Sequence, residues 1–402
     1  MANGDSAGRR EDTGHLEYVV RGSHRSLVPS LPDSCRDSDS TRMVPDGVVV
    51  VPLSRHEPHL ETPARLAADL GWPLLLLCSR GNQAQPARRL VTAMWPDVVV
   101  TAADLLHRDL LHSPDSWLTD EHPAARRRLD VDTNRKRNLG LAAARMTGRS
   151  WVLFVDDDLL RLDSPTVLCA LHHLPGSGRT VASWACDDYP DNSVVHHARR
   201  DVLGLDQDVF IGAGAMLVAL DGWDPPGFPP TYNEDWLFLA EPITRGQVVA
   251  GPEVGQERYD PYELPARARD EEFGDVLGEG LYHLLHIGAD LDVATGARYW
   301  GSVHAKRTKL IQRIIAELRR RLAVVAVESE HTWLTSALTA VDESRKELTR
   351  ATPESLADFV RRWRHDEELW AEYLGKLPPR ETLKEALVYL GLHESWIVGP
   401  GR

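Results

Sequence analysis

Short, uninterrupted apolar runs alternate with amphipathic stretches through the first part of the chain. Gly47-Val48-Val49-Val50-Val51-Pro52, Pro73-Leu74-Leu75-Leu76-Leu77-Cys78, Asp97-Val98-Val99-Val100-Thr101 and Trp151-Val152-Leu153-Phe154-Val155 each have the length and β-branched or aromatic content of a buried strand. A proline stops the first of them. Between the runs, Leu60 to Leu70, Gln85 to Ala93 and Arg135 to Met146 carry helical spacing; Asp132-Thr133-Asn134 opens the last and Gly148 ends it. The polar, Arg-rich segment 112–131 reads as a loop. Alternation of this kind predicts βαβ units around a mostly parallel sheet, an α/β fold. Downstream, Ser164 to Leu174 reads as a helix, Thr180 to Ala185 as a strand, and Phe210 to Val218 as a strand whose glycines let backbone approach a ligand closely. Asp275 to Leu285 should be helical. From His304 onward helical spacing dominates, as in Leu310, Ile311, Ile314, Ile315, Leu318 and Leu322, with further helices over 332–349, 354–374 and 380–392. The expected division is a mobile tail over 1–45, an α/β domain over 46–304 and a helical C-terminal extension over 305–402.

Composition narrows the partners. The chain has 402 residues and a formal net charge of -14, from 60 Asp+Glu against 46 Lys+Arg. That acidity argues against a dedicated nucleic-acid binder. The four cysteines show no CxxC or comparable ligand spacing, and with no signal-peptide core they suggest small buried thiols in a reducing, cytoplasmic compartment. No apolar stretch approaches the length of a membrane span. Arg307, Lys309, Arg313, Arg319, Arg320 and Arg321 accompany the apolar stripe of 305–322, which reads first as a core-packed helix with a solvated basic face and second as a peripheral membrane contact. The pairs His172-His173 and His196-His197 lack ligand spacing and read as surface residues.

The strand at 151–155 runs straight into Asp156-Asp157-Asp158. Three adjacent anions repel one another, so a fold that keeps them together needs a positive partner, and a divalent cation is the simplest. Along extended backbone Asp156 and Asp158 share one side, with Cβ atoms roughly 6.5–7 Å apart, while Asp157 faces the other way with no evident task. That spacing suits Mg²⁺ or Mn²⁺ bound by one carboxylate directly and by the second directly or through water. The competing reading is an acid-decorated helix start at Leu159-Leu160. Leu160 departs from the patterns of aspartyl-nucleophile phosphatases and prenyl-chain synthases. A strand followed by DxD, as in GT-A glycosyltransferases, fits without departure.

Lys136-Arg137-Asn138-Leu139-Gly140, Phe154-Val155-Asp156-Asp157-Asp158 and Asn233-Glu234-Asp235-Trp236, in that order, resemble a family 2-type GT-A glycosyltransferase over roughly residues 47–305. The resemblance implies a Rossmann-like nucleotide-diphospho-sugar transferase fold. It also implies a nucleotide pocket lined by Pro52, Leu53 and Ser54, with Arg137 near the diphosphate and Asn138 near the nucleoside. Asp156 and Asp158 would hold Mn²⁺ or Mg²⁺ on the donor diphosphate, and His304 would be a third metal ligand. Within Glu234-Asp235, Asp235 would be the general base on an acceptor hydroxyl. A planar guanidinium suits a diphosphate, a base is needed because a sugar hydroxyl is a poor nucleophile, and neutral imidazole suits a first-row metal. Structural readings stand beside these: Arg135 to Arg137 as an exposed helix face, Asn233 to Asp235 as a helix cap, Trp236 as a core residue. Where the family carries an acid after its second strand, this chain reads Cys78-Ser79-Arg80-Gly81-Asn82, leaving the base open and Ser79 a candidate contact. Asp191-Asn192-Ser193 and Gln256 are candidates for hydrogen bonds to sugar hydroxyls. The expected activity is metal-dependent transfer of a sugar to an acceptor hydroxyl with inversion. The alternatives are a nucleotidyltransferase or an inactive sugar-nucleotide-binding scaffold.

Overall fold

The computed structural model describes residues 24–32, 43–79, 83–105, 119, 122–127, 132–186, 193–206 and 210–399. Most of the loop expected over 112–131, together with Arg80, Asp191 and Asn192, lies outside them. Its elements in chain order are β1 (Gly47–Leu53), α1 (Glu61–Leu70), β2 (Leu74–Cys78), α2 (Ala84–Met94), β3 (Val100–Asp104), α3 (Pro123–Arg127), α4 (Thr133–Met146), β4 (Trp151–Val155), β5 (Leu159–Arg161), α5 (Ser164–His173), β6 (Val181–Ala185), α6 (Val194–Leu203) and β7 (Ile211–Ala219). There follow α7 (Glu234–Thr244), β8 (Val248–Ala250), β9 (Gly255–Gln256), α8 (Pro265–His286), α9 (Ala297–Leu322), α10 (Glu328–Leu348), α11 (Pro353–Lys376), α12 (Leu383–Tyr389) and β10 (Ile397–Val398).

Eight strands form the central sheet in the order β10-β3-β2-β1-β4-β7-β6-β8. β7 runs antiparallel to both its neighbours and β10 antiparallel to β3, while β3, β2, β1 and β4 are mutually parallel. The apolar runs become central strands because both faces are covered: every residue of β1, β2 and β4 is buried. The strand order reverses at β1, whose chain neighbour β2 lies on one side and β4 on the other. Such a switch point leaves a crevice at the carboxyl ends of β1 and β4. Two boundaries differ from expectation. β1 continues through Pro52 to Leu53, where the missing N–H costs least because pairing with β4 has already ended at Val50. β3 starts at Val100 and ends at Asp104, whose carboxylate accepts from the N–H groups of Gln83 and Ala84 and so fixes the start of α2.

Residues 24–32, within the tail expected over 1–45, pack against the sheet. Val28 and Leu31 are buried; Leu31 N–H donates to Ala250 O, and Ala250 N–H donates to Pro29 O. The expected boundary at residue 304 falls inside α9, a helix of 26 residues. One continuous apolar core joins α6, α7 and α8 to α9, α10 and α11, and β10 returns the chain to the sheet edge. The basic face expected on α9 is partly internal: Arg307 is buried, Arg320 and Arg321 pair with Glu317, and Arg321 also donates to Val202 O. His196 and His197 are buried, not surface, because α6 is packed between α8 and α9. Cys169 is disulfide-bonded, which the reading of the cysteines as small buried thiols did not anticipate. Among the described residues no helix is long and apolar enough to cross a membrane.

On α11, burial pushes Glu367 up to about 8, against the pull of Arg364 and with the help of Glu241. Folding therefore favours its protonated form; this stabilisation is complete below 4.5 and is lost by about pH 8. Glu367→Gln should raise the melting temperature by a few degrees at pH 8, with the gain shrinking as pH falls toward 4.5, as thermal unfolding across that range would show.

Candidate active site

The carboxyl ends of β1 and β4 meet in a dense ionic cluster. Asp157 turns toward the segment after β1, where its Oδ2 accepts from the backbone N–H groups of Ser54 (2.9 Å) and Arg55 (3.0 Å), and His59 N–H donates to its carbonyl. This is the task its sequence position concealed: it shapes the loop at the end of β1. Asp158 accepts from Arg55 Nη2 (2.5 Å) and Gln256 Nε2 (3.0 Å). The small β5–β9 ribbon brings Gln256 there by pairing it with Leu159. Leu159 and Leu160 are thus strand, not the first turn of a helix. Gln256, a candidate for hydrogen bonds to sugar hydroxyls, donates to Asp158.

Asp156 leans the other way. Both its oxygens lie within 3.1 Å of Arg137 Nη2, whose Nη1 reaches Glu234 at 2.5 Å. Burial alone would lower the Arg137 pKa, but Asp156 and Glu234 overcome that and raise it. Burial pushes Asp156 up to about 6, with Asp157 and Asp235 adding to the effect and Arg137 opposing it. Asp235 lies close by. Its Oδ2 accepts from Ala213 N–H (2.8 Å) and its Oδ1 from Trp236 N–H (2.9 Å). Two glycines of β7 make room for both groups: a Cβ on Gly212 would stand 2.5 Å from Asp235 Oδ2, and one on Gly214 would stand 3.4 Å from Asp156 Oδ2. Residues two apart share a face of a strand, so the glycines expected to admit a ligand form a shelf for two carboxylates.

Asn233 sets this up. Its φ of 60° makes it the only non-glycine with positive φ among the described residues, a conformation that asparagine tolerates better than most. It occupies the N-cap of α7 without making a side-chain cap bond. The turn throws Glu234 toward Arg137 and Asp235 toward the shelf. Trp236 is core, stacked on Phe210 at 4.3 Å and 3% exposed.

Four further expected site residues have these surroundings. Asn138 is closed on Phe228 by a reciprocal pair, Nδ2 to Phe228 O (2.9 Å) and Phe228 N–H to Oδ1 (2.8 Å), which clamps the proline-rich loop 224–230. Ser79 is buried and bonds Lys136 Nζ at 2.7 Å; Pro52 is buried within β1. His304 hydrogen-bonds the Leu348 carbonyl (2.9 Å) at the end of α10, so the structure does not bring it to the aspartates. Among the described residues no group of three or more His, Cys, Asp or Glu could hold a metal by itself.

The residue that sequence reasoning undervalued is Lys136. It is fully buried, and its ammonium donates to Leu53 O, Ser54 Oγ and Ser79 Oγ while pairing with Asp132 at 2.9 Å. Burial lowers its pKa, with Asp132 opposing. It ties the ends of β1 and β2 to the start of α4. The Asp132/Lys136 spacing of four was the signal available in the sequence. Beside this cluster a cleft of about 1360 Å³ opens between the β1 loop, the starts of α2 and α4, and the segment before α8; Ser54, Arg55, Gln83, Thr133, Glu257 and Arg267 are among its walls.

No family model matches the chain, and no curated protein matches it. Among solved structures it is similar to the mannosyltransferase PcManGT from Pyrobaculum calidifontis in complex with GDP-Man and Mn²⁺. Identity is 15% and the TM-score 0.37, over 77% of this chain and 88% of that one, a likeness too low to carry an argument.

Proposed function

We propose that this chain is a GT-A-type glycosyltransferase that moves a sugar from a nucleotide-diphosphate donor to an acceptor hydroxyl with inversion. The observation that carries the reading is the placement of Asp156 and Asp235 side by side on the Gly212/Gly214 shelf, at the sheet's switch point. One carboxylate continues the strand that ends in the aspartate run, and the other opens α7.

Charge decides whether a divalent cation suits the site. Asp156, Asp157, Asp158, Glu234, Asp235 and Glu257 cluster around the guanidinium groups of Arg55 and Arg137. Carboxylates outnumber guanidiniums there among the described residues, so a diphosphate would be repelled unless a cation came with it. Magnesium-type sites take one or two protein carboxylates and complete their coordination with phosphate oxygens and water. The residues would fit Mn²⁺ or Mg²⁺ held by Asp156, with phosphate oxygens and water completing the coordination, whereas Asp158 is engaged by Arg55 and Gln256 and His304 by Leu348 O. When bound, such an ion stabilises negative charge on the departing phosphate.

The protein's own groups do the rest. Asp235 takes the acceptor hydroxyl proton, its two oxygens oriented by Ala213 and Trp236 N–H. Arg137 pairs with Asp156 and Glu234 and aims both carboxylates. Asp157 holds the β1 loop at the cleft wall, where the nucleoside would lie. Incubating the protein with a panel of nucleotide sugars, Mn²⁺ and simple glycoside acceptors should release a nucleoside diphosphate from at least one donor. Release from none, with the protein folded, overturns the reading.

A further inference from the structure

Helix α8 lies directly behind the turn that aims Asp235, and it touches that turn at four points along one face. A Cβ on Gly274 would stand 2.1 Å from Tyr232 O, so only glycine lets the two backbones meet. Asp275 Oδ1 receives Asn233 Nδ2 at 3.4 Å. A Cβ on Gly278 would stand 2.6 Å from Trp236 Cε3, and Tyr282 Oη donates to Trp236 O at 3.1 Å. Positions 274, 275, 278 and 282 share one side of a helix. The left-handed Asn233 is thus gripped from Tyr232 to Trp236 by a single rigid element.

α8 is fixed in turn from α9. Arg307 donates to both oxygens of Glu272 (2.8 and 2.9 Å) and to Asp275 Oδ2, which also accepts from the Oγ of Ser193 at the N-cap of α6 (2.6 Å). His196 pairs with Glu279 at 2.7 Å on the same side. Glu272, Asp275 and Arg307 are all at least nine-tenths buried. A buried ionic group of this kind is a poor stabiliser compared with apolar packing, but its planar fork fixes orientation.

We infer that Arg307 is a positioning residue for Asp235: through Asp275 and the face of α8 it holds the left-handed Asn233 turn that aims the carboxylate. This rests on the role proposed for Asp235 and gives the C-terminal helices a part in the same site. The chain of contact runs from Arg307 to Asp275, from Asp275 to Asn233, and from Asn233 across one peptide to Glu234 and Asp235. The β1 loop and Lys136 on the donor side lie outside it, while Glu234 leads on to Arg137 and Asp156.

The test compares Arg307→Met and Arg307→Lys in the full chain, by hydrogen exchange and by kinetics. The amides of Ala213 and Trp236, which donate to the Asp235 carboxylate, should exchange faster in Arg307→Met, while those of β1 and β4 stay protected. With the donor found by the nucleotide-sugar panel, kcat should fall about a hundredfold, the scale of a small misplacement of a reacting group, while affinity for the nucleoside diphosphate with Mn²⁺ stays within about twofold. Arg307→Lys keeps the charge without the fork; it should fold if Arg307→Met does not, and should shift both readouts in the same direction by less. Unchanged exchange at Ala213 and Trp236 in a variant that folds, or exchange that rises equally in β1 and β4, overturns the inference. The exchange arm decides it even if no donor turns over, an outcome that would count against the transferase reading alone.

Discussion

Asp235→Asn should bind a nucleoside diphosphate with Mn²⁺ as tightly as the wild type and lose turnover by about a thousandfold, the range expected for removal of a general base. Both Asp235 oxygens receive backbone N–H groups, from Ala213 and Trp236. An asparagine fills the same volume but can accept on one side only, so the variant should fold with a modest loss of about 1 kcal/mol. Its amide cannot take the acceptor proton. Calorimetric titration and steady-state kinetics separate the two effects. If binding disappears together with turnover, Asp235 belongs to the donor site and the base assignment is wrong.

Arg137→Met should be the most destabilising single change in the candidate site, at about 3–5 kcal/mol. Its guanidinium is the shared partner of Asp156 and Glu234, and its side chain is 4% exposed. Without it two carboxylates on facing elements are left without that charge at depth. Urea unfolding measures the loss. Adding Glu234→Gln to the same chain should restore part of it, because the second change removes one of the stranded charges. A loss below about 1 kcal/mol, or no recovery in the double variant, would show that the buried pair does not organise the site.

The strands were legible because a strand covered on both faces must be apolar throughout, and β1, β2 and β4 are. β3 starts a few residues later than the apolar run because Val98 and Val99 lie in the connection that precedes the strand. The location of the aspartate run at a strand end was legible too. What each acid touches was not, because the partners come from remote segments: Arg55 and Gln256 for Asp158, the amides of Ser54 and Arg55 for Asp157. Local alternation placed Asp156 and Asp158 on one side, yet their side chains go to different cations once the chain turns after Val155. His304 illustrates the opposite failure. An isolated histidine carries no positional signal, and the continuation of α9 through it directs its ring to Leu348 O. Asn138 sits in a motif-like segment, but its amide is used on both sides by Phe228, a contact that depends on where the proline-rich loop lies.

In the proposed reading Asp156 and its neighbours form a donor site which takes a nucleoside diphosphate only together with a divalent cation. The direct measurement is isothermal titration of the full-length protein with a panel of nucleoside diphosphates, with and without Mn²⁺, repeated on Asp156→Ala. At least one of them should bind with Mn²⁺, and that binding should be lost when Mn²⁺ is withheld and again in Asp156→Ala. Equally tight binding without the cation, or Mn²⁺-dependent binding unchanged in Asp156→Ala, would contradict it.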